Sequence, residues 1–332
     1  MGGWYATGIN RLTSILVPLN KAQLMQTMKA TTCSPQSAAY VRKLRESPAF
    51  GATGFDFAGL REGMATRREP VDASIRCARV DINGMPGEWV IAPGADINIR
   101  LLYLHGGGFI SGSSEFYLAL AGRISAAARC AVLLPDYRLA PEHPFPAGVD
   151  DSIRAYEWLR ITGPTGPARA RAIFIAGDSA GGGLTLATLL ALRDRGQPLP
   201  LAAIALSPFA DLTLTGESIR SEGALDPIMH PGCLPDFVKL YVTDADVRHP
   251  LASPVFGDYS GIPPLLIQVG EHEIIRDDSF QTAAKARADG VDVQLEVWPG
   301  MFHVFQSHEP LLPEGVEAVE HIASFMRSCM AE

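Results

Sequence analysis

The sequence predicts an α/β protein: a mostly parallel central sheet with helices on both faces and a helical cap over one edge. Three observations carry this expectation. Short apolar runs recur from about residue 99 to residue 298, and helical patterns separate them. The runs are nearly continuous instead of alternating with polar residues, as strands buried on both faces require. Apolar residues make up 47% of the 332 and charged residues only 19%, which suits a large core and excludes a solvating, disordered chain.

The elements follow in order. Residues 1–65 read as an N-terminal helical cap segment, with Leu24, Met25 and Met28 on one apolar stripe and little strand character. The core is expected over 66–332. Strand patterns first occur at 74–82 and 88–92, then at 99–104 and 131–134, the last closed by Pro135. A helix is expected at 148–159. The apolar run 172–176 passes directly into a small-residue helix at 180–195, and another run follows at 201–206. The interval of about 210–260 holds no strand pattern, but Leu234, Phe237, Val238 and Tyr241 have helical spacing. It reads as an insertion between two sheet strands. With residues 1–65 it would cover the carboxyl edge of the sheet, where α/β proteins bind ligands. Beyond it come a strand at 265–269, a helix at 277–288 stopped by Gly290, and a strand at 291–298. A last helix carries Val316, Val319, Ala323 and Met326 on one stripe.

Charge and cysteine content remove several functions. The net charge of -8 argues against nucleic acid or an anionic membrane surface as partner. Cys33, Cys77, Cys130, Cys233 and Cys329 are odd in number, scattered and without a Cys-x-x-Cys pair, so a disulfide framework and a zinc site are not expected. Each reads as a buried thiol acting as a small hydrophobe in a reducing cytoplasm. Ala6 stands where a myristoylation signal wants Ser or Thr, and the run at 15–19 is too short and Pro-broken to span a membrane.

Four segments carry chemistry. Gly177-Asp178-Ser179-Ala180-Gly181 fits Gly-x-Ser-x-Gly and sits between a strand and a helix. A serine on so tight a turn takes a strained backbone, and glycine on either side removes clashes and exposes its hydroxyl. The pentapeptide alone is a common glycine-rich turn; its placement makes Ser179 a candidate nucleophile. His105-Gly106-Gly107-Gly108 follows the strand at 99–104. Backbone N–H groups of such a loop can approach a developing oxyanion closely, so Gly107 and Gly108, with Ala180 after the nucleophile, are the candidate donors. A phosphate loop fails because no Lys-Ser/Thr follows and neither glycine run fits Gly-x-Gly-x-x-Gly. His105 is expected to prop the loop.

Of the eight histidines, His303 lies in Trp298-Pro299-Gly300-Met301-Phe302-His303, just past the last strand, where a base for Ser179 would be delivered. His230, His249, His308 and His321 read as surface or satisfied histidines. The acid comes from the segment after the strand at 265–269. Glu273 is chosen, with Glu271 and Asp277 as rivals; Asp277 and Asp278 also suit a helix N-terminus. Asp178 is expected to point away from the base and to be structural.

With these residues assembled, the chain resembles the hormone-sensitive-lipase-like family of esterases and lipases. The resemblance rests on His105-Gly-Gly-Gly108, Gly177-Asp-Ser-Ala-Gly-Gly182, the segment Asp-Tyr-Arg-Leu-Ala-Pro-Glu-His-Pro-Phe-Pro-Ala at 136–147, and Gly-Met-Phe-His ending at His303. The matches span roughly 95–330. The resemblance implies an α/β-hydrolase fold with a helical cap and hydrolysis of short- to medium-chain carboxylic esters without cofactor or metal. By position, Ser179 and His303 match the family's nucleophile and base, and Gly107, Gly108 and Ala180 its oxyanion donors. Its acid falls at Glu273, where many members have Asp. Asp136, Arg138 and Glu142 are expected to form a buried polar network. A homodimer is a further expectation of the resemblance. The alternatives are a lactonase, amidase or carbamate hydrolase on the same triad, or a non-catalytic small-molecule receptor on the same scaffold.

Overall fold

In a strand, successive side chains point to opposite faces, so a run of apolar residues must find two apolar layers. Strand β3 (Asp96–Leu104) does so: Leu101 and Tyr103 enter one layer, Leu102 and Leu104 the other. The same division holds in β4 (Cys130–Pro135), β7 (Ala172–Asp178) and β8 (Ala202–Leu206). These strands form the middle of an eight-stranded sheet in a computed structural model that describes residues 32–66, 69–308 and 311–331.

The sheet order is β1-β2-β4-β3-β7-β8-β9-β10, with β1 (Arg76–Ile82), β2 (Met85–Ile91), β9 (Leu265–His272) and β10 (Val293–Phe302) completing it. The β1–β2 and β2–β4 pairs are antiparallel, and every pair from β4 to β10 is parallel. The two-residue strands β5 (Thr162–Gly163) and β6 (Gly166–Pro167) pair separately. Helix α1 (Pro35–Leu44) packs against the end of β10 through Val41. Helix α2 (Phe57–Thr66) buries no residue. Helices α3 (Leu118–Ala128) and α9 (Pro313–Ala331) cover one face. Helices α4 (Ala147–Ile161), α5 (Ala180–Asp194) and α8 (Arg276–Ala288) cover the other. Between β8 and β9 lie the short α6 (Ser218–Ser221) and α7 (Leu234–Tyr241), whose Leu234, Phe237 and Tyr241 are buried. No helix among the described residues is long and apolar enough to cross a membrane.

Four expectations need correction or placing. Helix α3 has no counterpart in the sequence reading: seven of its eleven residues are buried, so it shows no one-sided stripe. Val316 is 41% exposed, because the buried stripe of α9 runs through Gly315, Ala318, Val319, Ile322, Ala323 and Met326. One residue is a turn of roughly 100°, enough to move Val316 off that stripe. Only Cys130 and Cys233 are buried; Cys77 is exposed on edge strand β1, whose outer face meets water. The proposed stripe of Leu24, Met25 and Met28 lies outside the described residues.

Candidate active site

The parallel strands end together, and the residues that follow their last positions meet at one edge. Leu104 of β3 pairs with Gly177 of β7, and Asp178 with Leu206 of β8. A bulge between Trp298 and Phe302 shifts the register of β10 so that Phe302 pairs with His272. Glu273 and His303, thirty positions apart in the chain, therefore leave adjacent strand ends side by side.

Ser179 stands at the N-cap of α5 with φ 51° and ψ −122°. That left-handed backbone is disfavoured for a residue with a side chain. The turn is held by Ser179 N–H donating to Leu206 O at 2.8 Å, while Ser179 O accepts from Gly183 N and Phe209 N. A Cβ at Gly177 would strike Gly181, and one at Gly181 would strike the Leu104 carbonyl. The glycines thus answer to the backbone of crossing segments as well as to the serine beside them. Ser179 is partly exposed, at the positive end of the α5 dipole.

His303 lies 6% exposed and joins its partners at both ring nitrogens. Nδ1 is 2.9 Å from Glu273 Oε2, and Nε2 is 2.9 Å from Ser179 Oγ. With Nδ1–H donating to the carboxylate, Nε2 is left to accept the serine proton. Burial pulls the imidazole down, but the hydrogen bond and charge of Glu273, with the charges of Asp226 and Asp178, outweigh it and hold His303 above its ordinary value. Glu273 is fully buried and accepts from Ser207 Oγ at 2.7 Å and from Gly270 N–H.

The rival carboxylates are engaged elsewhere. Glu271 Oε2 accepts from Gly300 N at 2.8 Å inside the β10 bulge. Asp277 Oδ2 accepts from Ser218 N at 3.0 Å. Asp278 is buried and accepts from Ala210 N and Asp211 N, which staples the chain after β8 to α8.

The glycine loop lies directly over the serine turn. Gly107 has φ 120°, and its carbonyl accepts from Ser111 N and Ser111 Oγ. Among the described residues, the N–H groups of Gly107, Gly108 and Ala180 donate to no protein acceptor. Such unused donors, two in the glycine loop and one at the N-terminus of α5, suit a developing oxyanion. Asp178 anchors this loop. Its Oδ1 accepts from Gly106 N at 3.1 Å and Tyr103 Oη at 3.0 Å, and its Oδ2 from Tyr117 Oη at 2.8 Å. Burial pushes its carboxyl up to about 6 against those hydrogen bonds. His105 is buried and stacks on Tyr137 at 4.2 Å; burial holds its imidazole low, in keeping with a prop.

Two features differ from the sequence reading. Asp136, Arg138 and Glu142 do not share one buried network. Asp136 accepts from Ser114 N, Arg138 grips the buried Asp151 with two bonds, and the exposed Glu142 pairs with Arg61. The segment runs along the surface, so each charge meets a different neighbour and keeps contact with water. Ser207 went unnoticed in the sequence. Besides bonding Glu273, its Oγ accepts from Val304 N at 3.2 Å, and its φ is 45°. Its one signal was position: like Ser179, Glu273 and His303, it directly follows a strand of the parallel sheet.

Comparison with known proteins points the same way. The family described as the alpha/beta hydrolase fold matches residues 101–307. An acetyl-hydrolase of Streptomyces hygroscopicus is 43% identical over 253 residues, covering 76% of this chain and 83% of the relative. The structure of an esterase/lipase from an uncultured bacterium superposes with a TM-score of 0.84 at 42% identity, covering 90% of this chain and 100% of the other. An esterase of the bacterial hormone-sensitive lipase family gives a TM-score of 0.80 at 41% identity, with 90% and 99% covered.

Proposed function

The chain belongs to the bacterial hormone-sensitive-lipase family of carboxylic-ester hydrolases with the α/β-hydrolase fold, and from that premise we propose that it is a serine carboxylesterase acting on short- to medium-chain acyl esters through an acyl-enzyme. The observation that carries the proposal is the unbroken chain from Ser179 Oγ to His303 Nε2 and from His303 Nδ1 to Glu273, each link 2.9 Å.

In this reading His303 takes the Ser179 proton as Oγ attacks the ester carbonyl. The carbonyl oxygen becomes an oxyanion held by the N–H groups of Gly107, Gly108 and Ala180. When it collapses, the carbon–alkoxy bond breaks and His303 returns the proton to the leaving alkoxide. Water then attacks the acyl-serine under the same base, releasing the acid and restoring Ser179. The Glu273 carboxylate orients the imidazole and balances its positive charge. Preorganised donors matter because they need not reorient as charge develops; losing one costs about 3–4 kcal/mol of barrier.

Residues 1–65 and the insertion at about 210–260 are proposed to form the cap under which the ester binds. A homodimer and a cytoplasmic setting complete the reading, the latter supported by the scattered, odd set of cysteines. Ser179→Ala should lower turnover of p-nitrophenyl butyrate by on the order of 10⁶, with an unchanged circular dichroism spectrum. Turnover at the unmodified rate would overturn the mechanism. A fluorophosphonate should label Ser179 of the intact chain and no residue of the variant.

A further inference from the structure

We propose that the ring of Phe237 sets acyl-chain length by closing the space beside Gly108, which favours the short end of the proposed range, acetyl and butyryl, over longer chains. The inference rests on the serine-esterase reading and adds the residue that limits its substrate.

Phe237 lies on α7 and is 5% exposed. Its ring sits flush against the backbone of Gly108: a side-chain carbon placed there would collide with ring atoms Cδ1 and Cε1. Gly108, with φ 64°, is one of the two loop glycines offering an N–H to the oxyanion. A residue in contact with its Cα therefore borders the reacting carbonyl.

The ring cannot easily swing aside. Phe55 meets it edge to face at 5.2 Å and 90°, and Phe50 lies against it at 6.0 Å. Phe50 and Phe55 in turn contact each other at 5.7 Å. Phe50 is tied to the insertion by its N–H to Ile228 O and by its own carbonyl, which accepts from His230 N. The two segments covering the site thus lock one aromatic wall, and moving Phe237 means unpacking three rings. Aromatic pairs of this kind hold their geometry as well as bury area.

The chemistry decides which arm of the ester meets this wall. The leaving oxygen must reach His303 Nε2 to collect a proton, so the alkoxy arm lies on the imidazole side. The acyl arm takes the remaining direction from the carbonyl carbon, which the proposal assigns to the side bordered by Gly108 and Phe237. An acetyl methyl needs little room beside Gly108, whereas a long chain needs the volume the ring fills.

The test measures kcat/KM over p-nitrophenyl esters from acetate to octanoate for the unmodified protein, Phe237→Leu and Phe237→Ala, with thermal midpoints alongside. The expected result is a rise of about tenfold or more in the octanoate-to-acetate ratio for Phe237→Ala, and a smaller rise for Phe237→Leu. The ratio for octyl over ethyl acetate, which varies the alcohol arm, should stay level. A ring with a merely structural role would lower the midpoint and reduce all chain lengths alike. Acyl profiles that superimpose after scaling, in a Phe237→Leu protein that folds, overturn the assignment, and so does a change in the alcohol series alone. Failure of the parent reading looks different: an unmodified protein that hydrolyses none of the esters.

Discussion

At the scale of single residues, Glu273 acts on His303 in two ways. It fixes which ring nitrogen carries the proton, and its charge lifts the imidazole above its ordinary 6.5 despite burial. In the proposed mechanism attack requires the neutral ring, so kcat/KM should rise with pH along an acid limb centred above that value. Glu273→Gln removes the charge, so the limb should move to lower pH while kcat falls by on the order of 10⁴. Glu271→Gln should leave the limb in place, because that carboxylate holds the β10 bulge. An unmoved limb in Glu273→Gln, read from a pH–rate profile, would remove Glu273 from the triad. Asp178 makes a second residue-level case. Its carboxyl sits near 6 in the folded protein against an ordinary 3.8, so between those values the folded chain binds more protons than the unfolded one. That contribution makes stability fall as pH rises from about 4 to about 6, and level off above. Asp178→Asn should flatten this slope in thermal midpoints. It should also lower kcat about tenfold, since an amide cannot accept at every position where the carboxylate holds Gly106, Tyr103 and Tyr117. An unchanged kcat would mean that the glycine loop holds its position without Asp178.

At the scale of elements, helix α2 shows how a segment with no fully buried residue is held: Phe57, Leu60 and Met64 pack half-buried against the core. Arg61 adds polar ties, donating to Ile110 O at 2.7 Å, to Ala140 O at 2.9 Å and to both oxygens of Glu142 at 2.7 Å, and Met64 Sδ accepts from Ser111 Oγ at 3.2 Å. These bonds are partly exposed, so Arg61→Ala should cost only about 1 kcal/mol globally. Hydrogen exchange should nevertheless speed up in residues 57–66 while β7 and β8 keep their protection. Equal acceleration in the sheet would show that α2 is integral to the core. Legibility also varied by element. Strands β3, β4, β7 and β8 were readable because burial on both faces leaves a continuous apolar run. Helix α3 was not, because a helix buried nearly all round has no stripe to read. The short hairpin of β5 and β6 carries too few residues for any period.

At the scale of the whole molecule, the sheet divides the interior into two layers with little side-chain contact between them. Leu189 on α5 lies in one layer and Met326 on α9 in the other, both fully buried. Leu189→Ala and Met326→Ala should each cost about 2–5 kcal/mol by leaving a cavity. With no shared partners, the double variant should match the sum within about 0.5 kcal/mol. Denaturant unfolding measures this, and a strong departure from additivity would mean that the layers communicate through the strands. The parallel order also explains why the site lies at one edge: every strand from β4 to β10 ends there, so the loops that follow converge.

By itself the sequence determined the parallel sheet, the serine turn, the glycine loop and the histidine after the last strand. Each is a local pattern: apolar continuity, glycines at fixed spacing, or a residue placed just past a strand. Only the tertiary structure sets Glu273, and neither Glu271 nor Asp277, beside the imidazole, through the register of β9 and β10 and the bulge before Phe302. It also set Ser207 beside Glu273, Asp178 under the glycine loop and Phe237 against Gly108. Those relations join residues tens of positions apart, and a one-dimensional pattern holds no distance between them.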